Sequence, residues 1–141
     1  MQIRFTLDEG AYKPEKAHAS DAGYDLRSRD RKRIITDCCG GREFDTGVHV
    51  EIPEGYVGYV QGRSGLNINN SIICPTGTID AGFTGSIKVK LYNLDLEDYV
   101  VMEGDKIAQL VIQPLADTEL VEAETLGESE RGMNGFGSTG R

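Results

Sequence analysis

Short runs in which apolar and polar residues alternate recur along the chain: "QIRFTL" over 2–7, "VHVEI" over 48–52, "YVGYVQ" over 56–61, "SIKVKLYN" over 86–93 and "KIAQLVIQ" over 106–113. Alternation with period two puts one side of an extended segment on a core and the other in solvent. Each run is bounded by Gly, Pro, Asp or Asn, so the runs read as half-buried strands joined by turns. Helical periodicity is scarce. "ADTELVEAE" over 116–124 could make two turns or lie extended, and "SGLNINN" over 64–70 could form a short turn with Ser64 as its N-cap. Many short strands with Gly-rich turns favour a sandwich, barrel or jelly roll over a βαβ fold. The expectation is one all-β domain over residues 1–125 and a flexible glycine-rich C-terminal arm over 126–141. The acidic stretch "DTELVEAETLGESE" over 117–130 loses its apolar pattern after Leu126 and reads as a stalk for that arm.

At 141 residues the chain is long enough for one domain with a core and short for two. A formal charge of -8 argues against general affinity for nucleic acid or an anionic membrane, since the long-range field repels polyanions. The run "RSRDRKR" over 27–33 is the exception; in so acidic a chain it reads as a solvated loop or a charged edge strand. Cys38, Cys39 and Cys74 are odd in number and two are adjacent, which speaks against a disulfide framework and for a reduced, cytoplasmic setting. No apolar run approaches the roughly 20 residues of a membrane helix, so a soluble protein is expected.

Five segments depart from strand-and-turn grammar: "DAGYDL" (21–26), "GRSGL" (62–66), "GTIDAGFTGSIKVKLYN" (77–93), "GDKIAQLVI" (104–112) and "RGMNGFGSTG" (131–140). In "GRSGL", Gly62 and Gly65 flank a guanidinium and a hydroxyl, the local chemistry of a phosphate site, although an ordinary turn would look the same. The terminal arm repeats that chemistry with Arg131, Ser138 and Thr139 and adds Phe136, which gains by stacking on a planar base; alone it could equally be a frayed tail. Asp80 could orient and deprotonate a water for attack on phosphorus, or simply cap a turn. Asp25 could support Mg²⁺, which keeps several waters and takes few carboxylates, or make a structural hydrogen bond at a strand start.

In this order the five segments resemble the five motifs of the trimeric deoxyuridine triphosphatases (dUTPases), over Asp21 to Gly140. The resemblance implies a jelly-roll-like β subunit of a homotrimer, with three active sites at subunit interfaces. It also implies Mg²⁺-dependent hydrolysis of dUTP to dUMP and pyrophosphate, which limits uracil in DNA and supplies dUMP for dTMP synthesis. By position, Asp80 matches the catalytic aspartate that holds the attacking water. Arg63, Ser64 and Gly65 match the phosphate-binding motif, Gln109 a phosphate-contacting glutamine, and Asp25 the aspartate that supports the metal through water. The hairpin from about Cys74 to Phe83 would read uracil largely through main-chain groups, with Thr78 and Ile79 near sugar and base. Arg131, Ser138 and Thr139 would meet the phosphates, with Gly137 among them, and Phe136 would cover the uracil.

The chain departs from the pattern at four places. Phe83 stands where a tyrosine usually packs on deoxyribose; it keeps the ring, so exclusion of ribose is expected to survive. Gly82 stands where many dUTPases carry a second acid. The related dCTP deaminases share "DAGFTG" but place a catalytic glutamate where this chain has Lys90, and without a carboxylate there deamination loses its acid–base group. Met133 and Asn134 replace small residues in the arm, which bears on how fast it closes.

Overall fold

The computed structural model describes residues 1–37, 40–130 and 132–133. Eleven strands and one short helix are formed among them: β1 (Arg4–Leu7), β2 (Gly23–Arg27), β3 (Lys32–Ile35), β4 (Gly41–Asp45), β5 (Val48–Glu51), β6 (Tyr56–Gln61), α1 (Ser64–Asn70), β7 (Ile72–Ile73), β8 (Gly77–Ile79), β9 (Lys88–Asn93), β10 (Tyr99–Met102) and β11 (Lys106–Pro114). The fold is all-β and jelly-roll-like. A four-stranded sheet runs in the order β2-β11-β6-β8 and a three-stranded one β4-β9-β7, with the two-stranded ribbons β1-β5 and β10-β3 beside them. Every pairing is antiparallel and joins strands that are not consecutive in the chain, as the crossed connections of a jelly roll do.

The alternating runs become strands because one face of each reaches a common core. Val48 and Val50 of β5, Val60 of β6, Val89 and Leu91 of β9, and Leu110 of β11 point into it, around Phe44, Leu26, Ile35 and Ile87. Each such side chain, once buried, contributes about 1.5–3 kcal/mol relative to exposure. β1 follows a different course: all four of its residues are exposed, so its alternation marks a ribbon edge over β5 rather than a half-buried strand.

The helical turn forms over 64–70, but its cap is not Ser64. Arg63 occupies the N-cap position in extended conformation (φ -100°, ψ 131°), no side chain caps the end, and Ser64 is the first helical residue. The hydroxyl is thereby left for other partners. Residues 115–130 hold neither helix nor strand, and Leu120 and Val121 in "ADTELVEAE" are exposed. In the run 27–33, Arg27 donates to the Gly104 carbonyl (2.7 Å), Arg29 pairs with Asp8 (3.3 Å) and Asp45 (3.1 Å), and Arg33 pairs with Asp30 (3.0 Å). No helix among the described residues is long and apolar enough to cross a membrane.

Candidate active site

The central strand β11 organises one group of side chains. A register shift between Lys106 and Ala108 lets Ile107 and Ala108 both enter the core, and beyond it Gln109 stands opposite Asp25 on β2 and Gln61 on β6. "DAGYDL" needs its glycine for this: a Cβ at Gly23 would lie 2.7 Å from Oε1 of Gln109. The Gln109 amide donates to the Gly62 carbonyl (3.2 Å), which ties the "GRSGL" loop to the sheet.

Asp25 is nearly covered, its side chain 13% exposed, and it takes two cations: Nε of Arg63 at 3.2 Å and Nζ of Lys106 at 2.6 Å. Arg63 also donates to the Lys106 carbonyl (3.3 Å). Two positive charges on one carboxylate leave a local surplus of about one positive charge in an acidic chain, held without flexible arms to order later. The cluster sits between two hollows. One of about 260 Å³ is lined by Asp21, Gly23, Asp25, Arg63, Ser64, Gly65 and Gln109. The other, of about 420 Å³, is lined by Gly62, Arg63, Ser64, Asn67, Cys74 and Gln109, among others. Nothing lies within 4 Å of where a Cβ would stand on Gly65, so the loop is open above Ser64. The structure brings Asp25, Arg63, Ser64, Gly65 and Gln109, all candidates from the sequence, to one hollow. Sequence reasoning passed over Lys106, although "GDKIAQL" contains it, because nothing local says that its amine reaches across to β2.

The hairpin leading to Asp80 lies elsewhere. Cys74 begins at the first cluster, since a Cβ on Gly62 would meet its Cβ at 3.4 Å. Burial pushes the Cys74 thiol up to about 11, so it is a neutral wall and not a nucleophile. Thr78 is exposed on β8, while the Ile79 side chain is 9% exposed and packed in the core, leaving only its main chain for a ligand. After β8 the chain turns: the Phe83 N–H donates to the Asp80 carbonyl (3.2 Å), and Gly82 takes φ +85°. A positive φ at the third turn position favours glycine over a second acid. Asp80 and Phe83 are both exposed. The pairing of Gly58 with Ile79 and of Val60 with Gly77 puts Asp80 level with Val57. Gly62 lies five residues farther along β6, about 17 Å away at strand rise. A single chain therefore does not bring Asp80 and Phe83 to Arg63 and Ser64.

Lys90 is on β9, exposed, its ammonium 5.6 Å from the centre of the Tyr92 ring. Among the described residues no three His, Cys, Asp or Glu converge on a metal position. Arg131, Asn134, Phe136, Gly137, Ser138 and Thr139 lie outside the described residues, as do Cys38 and Cys39.

Comparison with known proteins bears directly on this arrangement. The dUTPase family model matches residues 10–140. The chain belongs to the dUTPase family. It is 41% identical over 138 residues to the deoxyuridine 5'-triphosphate nucleotidohydrolase of Tropheryma whipplei (strain Twist), covering 96% of this chain and 93% of that one. Among solved structures it is similar to the Staphylococcus bacteriophage 80alpha dUTPase with dUPNHPP, at TM-score 0.90 and 32% identity over 99% of both chains. It also resembles a variant dUTPase from phage phi11 of S. aureus, described for its coordination of a structural Mg(II) ion. There the TM-score is 0.81 and the identity 30%, over 91% of this chain and 100% of that one. In dUTPase terms, the β11 cluster carries the first, second and fourth motifs together, and the turn after β8 carries the third.

Proposed function

We propose that this chain hydrolyses dUTP to dUMP and pyrophosphate with Mg²⁺, as a homotrimer whose sites lie between subunits. The observation that carries the proposal is the separation just described: a cationic, preformed phosphate cradle at Arg63, Ser64, Lys106 and Gln109, and a carboxylate and aromatic ring about 17 Å off in the same chain. A neighbouring copy offering its own Asp80 turn to this cradle would complete the site.

In this reading Arg63, the Ser64 hydroxyl and the open N–H groups at Gly65 hold the triphosphate, while Gln109 keeps the loop in place through Gly62. Asp80 accepts a proton from a water as the water oxygen attacks the α-phosphorus. The bond from that phosphorus to the bridging oxygen breaks, and the oxygen leaves with pyrophosphate. The Phe83 ring packs against the sugar, and main-chain groups between Cys74 and Ile79 read uracil. The donor set fits a hydrated Mg²⁺: Asp25 already accepts from Arg63 and Lys106, and its remaining lone pairs suit metal-bound waters better than direct ligation. When bound, the ion neutralises phosphate charge.

The residues of the arm complete the proposal, with Arg131, Gly137, Ser138 and Thr139 on the phosphates and Phe136 over the base, as a unit over 126–141 beyond a β domain over 1–125. A cytoplasmic location accords with the odd number of cysteines. Pyrophosphate release from dUTP, dCTP, dTTP and UTP, with and without Mg²⁺, tests the reaction. Turnover confined to dUTP and dependent on Mg²⁺ is expected; ammonia release from dCTP, or no pyrophosphate from dUTP, would overturn it.

A further inference from the structure

His49, on β5, lies outside every motif discussed so far, yet it holds the turn that carries Asp80 and Phe83. Its Nδ1 is 2.8 Å from the carbonyl oxygen of Thr84, and its Nε2 is 3.1 Å from a carboxylate oxygen of Asp8. Neither partner has a proton to give. A neutral imidazole carries one N–H and could satisfy only one of them; the imidazolium carries two and satisfies both. The ring is thus a two-ended clamp between the end of β1 and the peptide after Phe83.

The rest of the surroundings fix both ends of that clamp. Asp8 is held by Arg29, which also pairs with Asp45; Asp45 accepts from the Ser86 hydroxyl and the Gly47 N–H. Ile87, fully buried, donates its N–H to the Val48 carbonyl (2.8 Å) and accepts from the Thr46 hydroxyl (2.7 Å). On the other side of His49, Glu51 and Arg4 satisfy each other at 2.6 Å. Segment 86–87 is therefore anchored by the fold, and Thr84 is attached through His49.

We propose that His49 is a positioning residue which, as an imidazolium, sets the Phe83–Gly85 peptides for substrate and releases them when it loses its proton. This rests on the reading above, in which Asp80 and Phe83 meet the nucleotide. The Thr84 carbonyl, followed by Asp8 and Asp45, raises the His49 pKa above the ordinary histidine value, with partial burial working against them. The clamp is therefore fully present below about pH 6.5 and is lost as pH rises through the raised value.

The test pairs His49→Gln, which cannot titrate, with His49→Arg, which is always charged and can donate to both partners. At pH 6.5, His49→Gln should raise the KM for dUTP about fivefold with kcat within about twofold. The gap should close as pH rises through the raised His49 value, where the wild type loses its clamp as well. His49→Arg should keep the low KM and flatten the profile. In the unmodified protein, NMR should show His49 titrating above the ordinary value, with the Phe83, Thr84 and Gly85 amides moving on the same curve. Identical KM profiles for wild type and His49→Gln, or turn amides that ignore the His49 titration, would overturn the proposal. Absence of dUTP turnover in the wild type would defeat the functional reading alone, since the NMR titration still decides whether the clamp exists.

Discussion

The cluster on β11 and the turn after β8 are prepared for chemistry in opposite ways. At the cluster the functional groups hold one another: Asp25 binds Arg63 and Lys106, Gln109 binds the Gly62 carbonyl, and the surrounding strands fix the register. At the turn the functional groups hold nothing. Asp80 and Phe83 face solvent, and what is fixed is the backbone behind them, through Thr84, Ser86 and Ile87. A phosphate cradle can be self-contained because its charges need partners even when empty. A catalytic carboxylate gains from being free until water and phosphorus arrive, since strong internal partners would compete for the lone pair it must use. On the proposed function, the difference means that one chain supplies two half-sites and that joining them falls to assembly.

The largest effect should come from the turn. On the proposed mechanism, Asp80→Asn removes the group that accepts the proton and should lower kcat by about 10²–10⁴-fold, with circular dichroism and assembly unchanged. Arg63→Ala should impair the cradle comparably. The comparison is sharpened by co-assembling the two inactive variants: if sites combine the cradle of one subunit with the turn of another, mixed oligomers contain intact sites and regain measurable turnover. Mixtures no more active than either parent would mean that each chain supplies its own Asp80, and the division into half-sites would be wrong.

A smaller effect, on stability, should come from the cluster. Asp25→Ala leaves Arg63 and Lys106 facing each other with no carboxylate between them at a nearly covered position. Because the Arg63 and Lys106 side chains are 35% and 28% exposed, water offsets part of the loss, and the cost should be about 1–2 kcal/mol. Urea unfolding should register most of that loss, whereas Asp80→Asn, at an exposed position, should leave the midpoint in place. Equal stability of the two variants would erase the distinction between a self-held and an externally held region.

The two regions were also unequally legible in the sequence. β5 and β9 announce themselves because one face of each is buried, and burial imposes period two. β2, β3 and β4 carry Arg27, Lys32, Arg33, Arg42 and Glu43 on exposed or half-exposed positions, so charge hides the pattern. β1 shows the reverse error, with alternation but no burial, because Phe5 and Leu7 lie on a ribbon. Motif order gathers Asp25, Arg63, Ser64 and Gln109 into one site, but only the β6–β8 register reveals that Asp80 is at the far end of its strand. Lys106 and His49 were missed for a shared reason: each acts through contacts across strands, and sequence separation carries no trace of that.

The smallest effect concerns how the turn shapes its aromatic ring. A Cβ on Gly85 would lie 2.6 Å from Cζ and 2.9 Å from Cε2 of Phe83, so the ring lies back over a residue that has no side chain. Gly85→Ala must push the ring outward, while Asp80, on the other side of the Phe83-to-Asp80 hydrogen bond, keeps its place. If Phe83 is the surface that closes on the sugar, the displaced ring should weaken the rejection of a 2′-hydroxyl more than it slows hydrolysis. Discrimination of dUTP over UTP should fall by about tenfold in kcat/KM, the size of effect expected when one packing contact is lost. A variant in which dUTP turnover collapses and UTP discrimination is untouched would show that Gly85 serves the position of Asp80 instead, and that the turn behaves as one rigid piece.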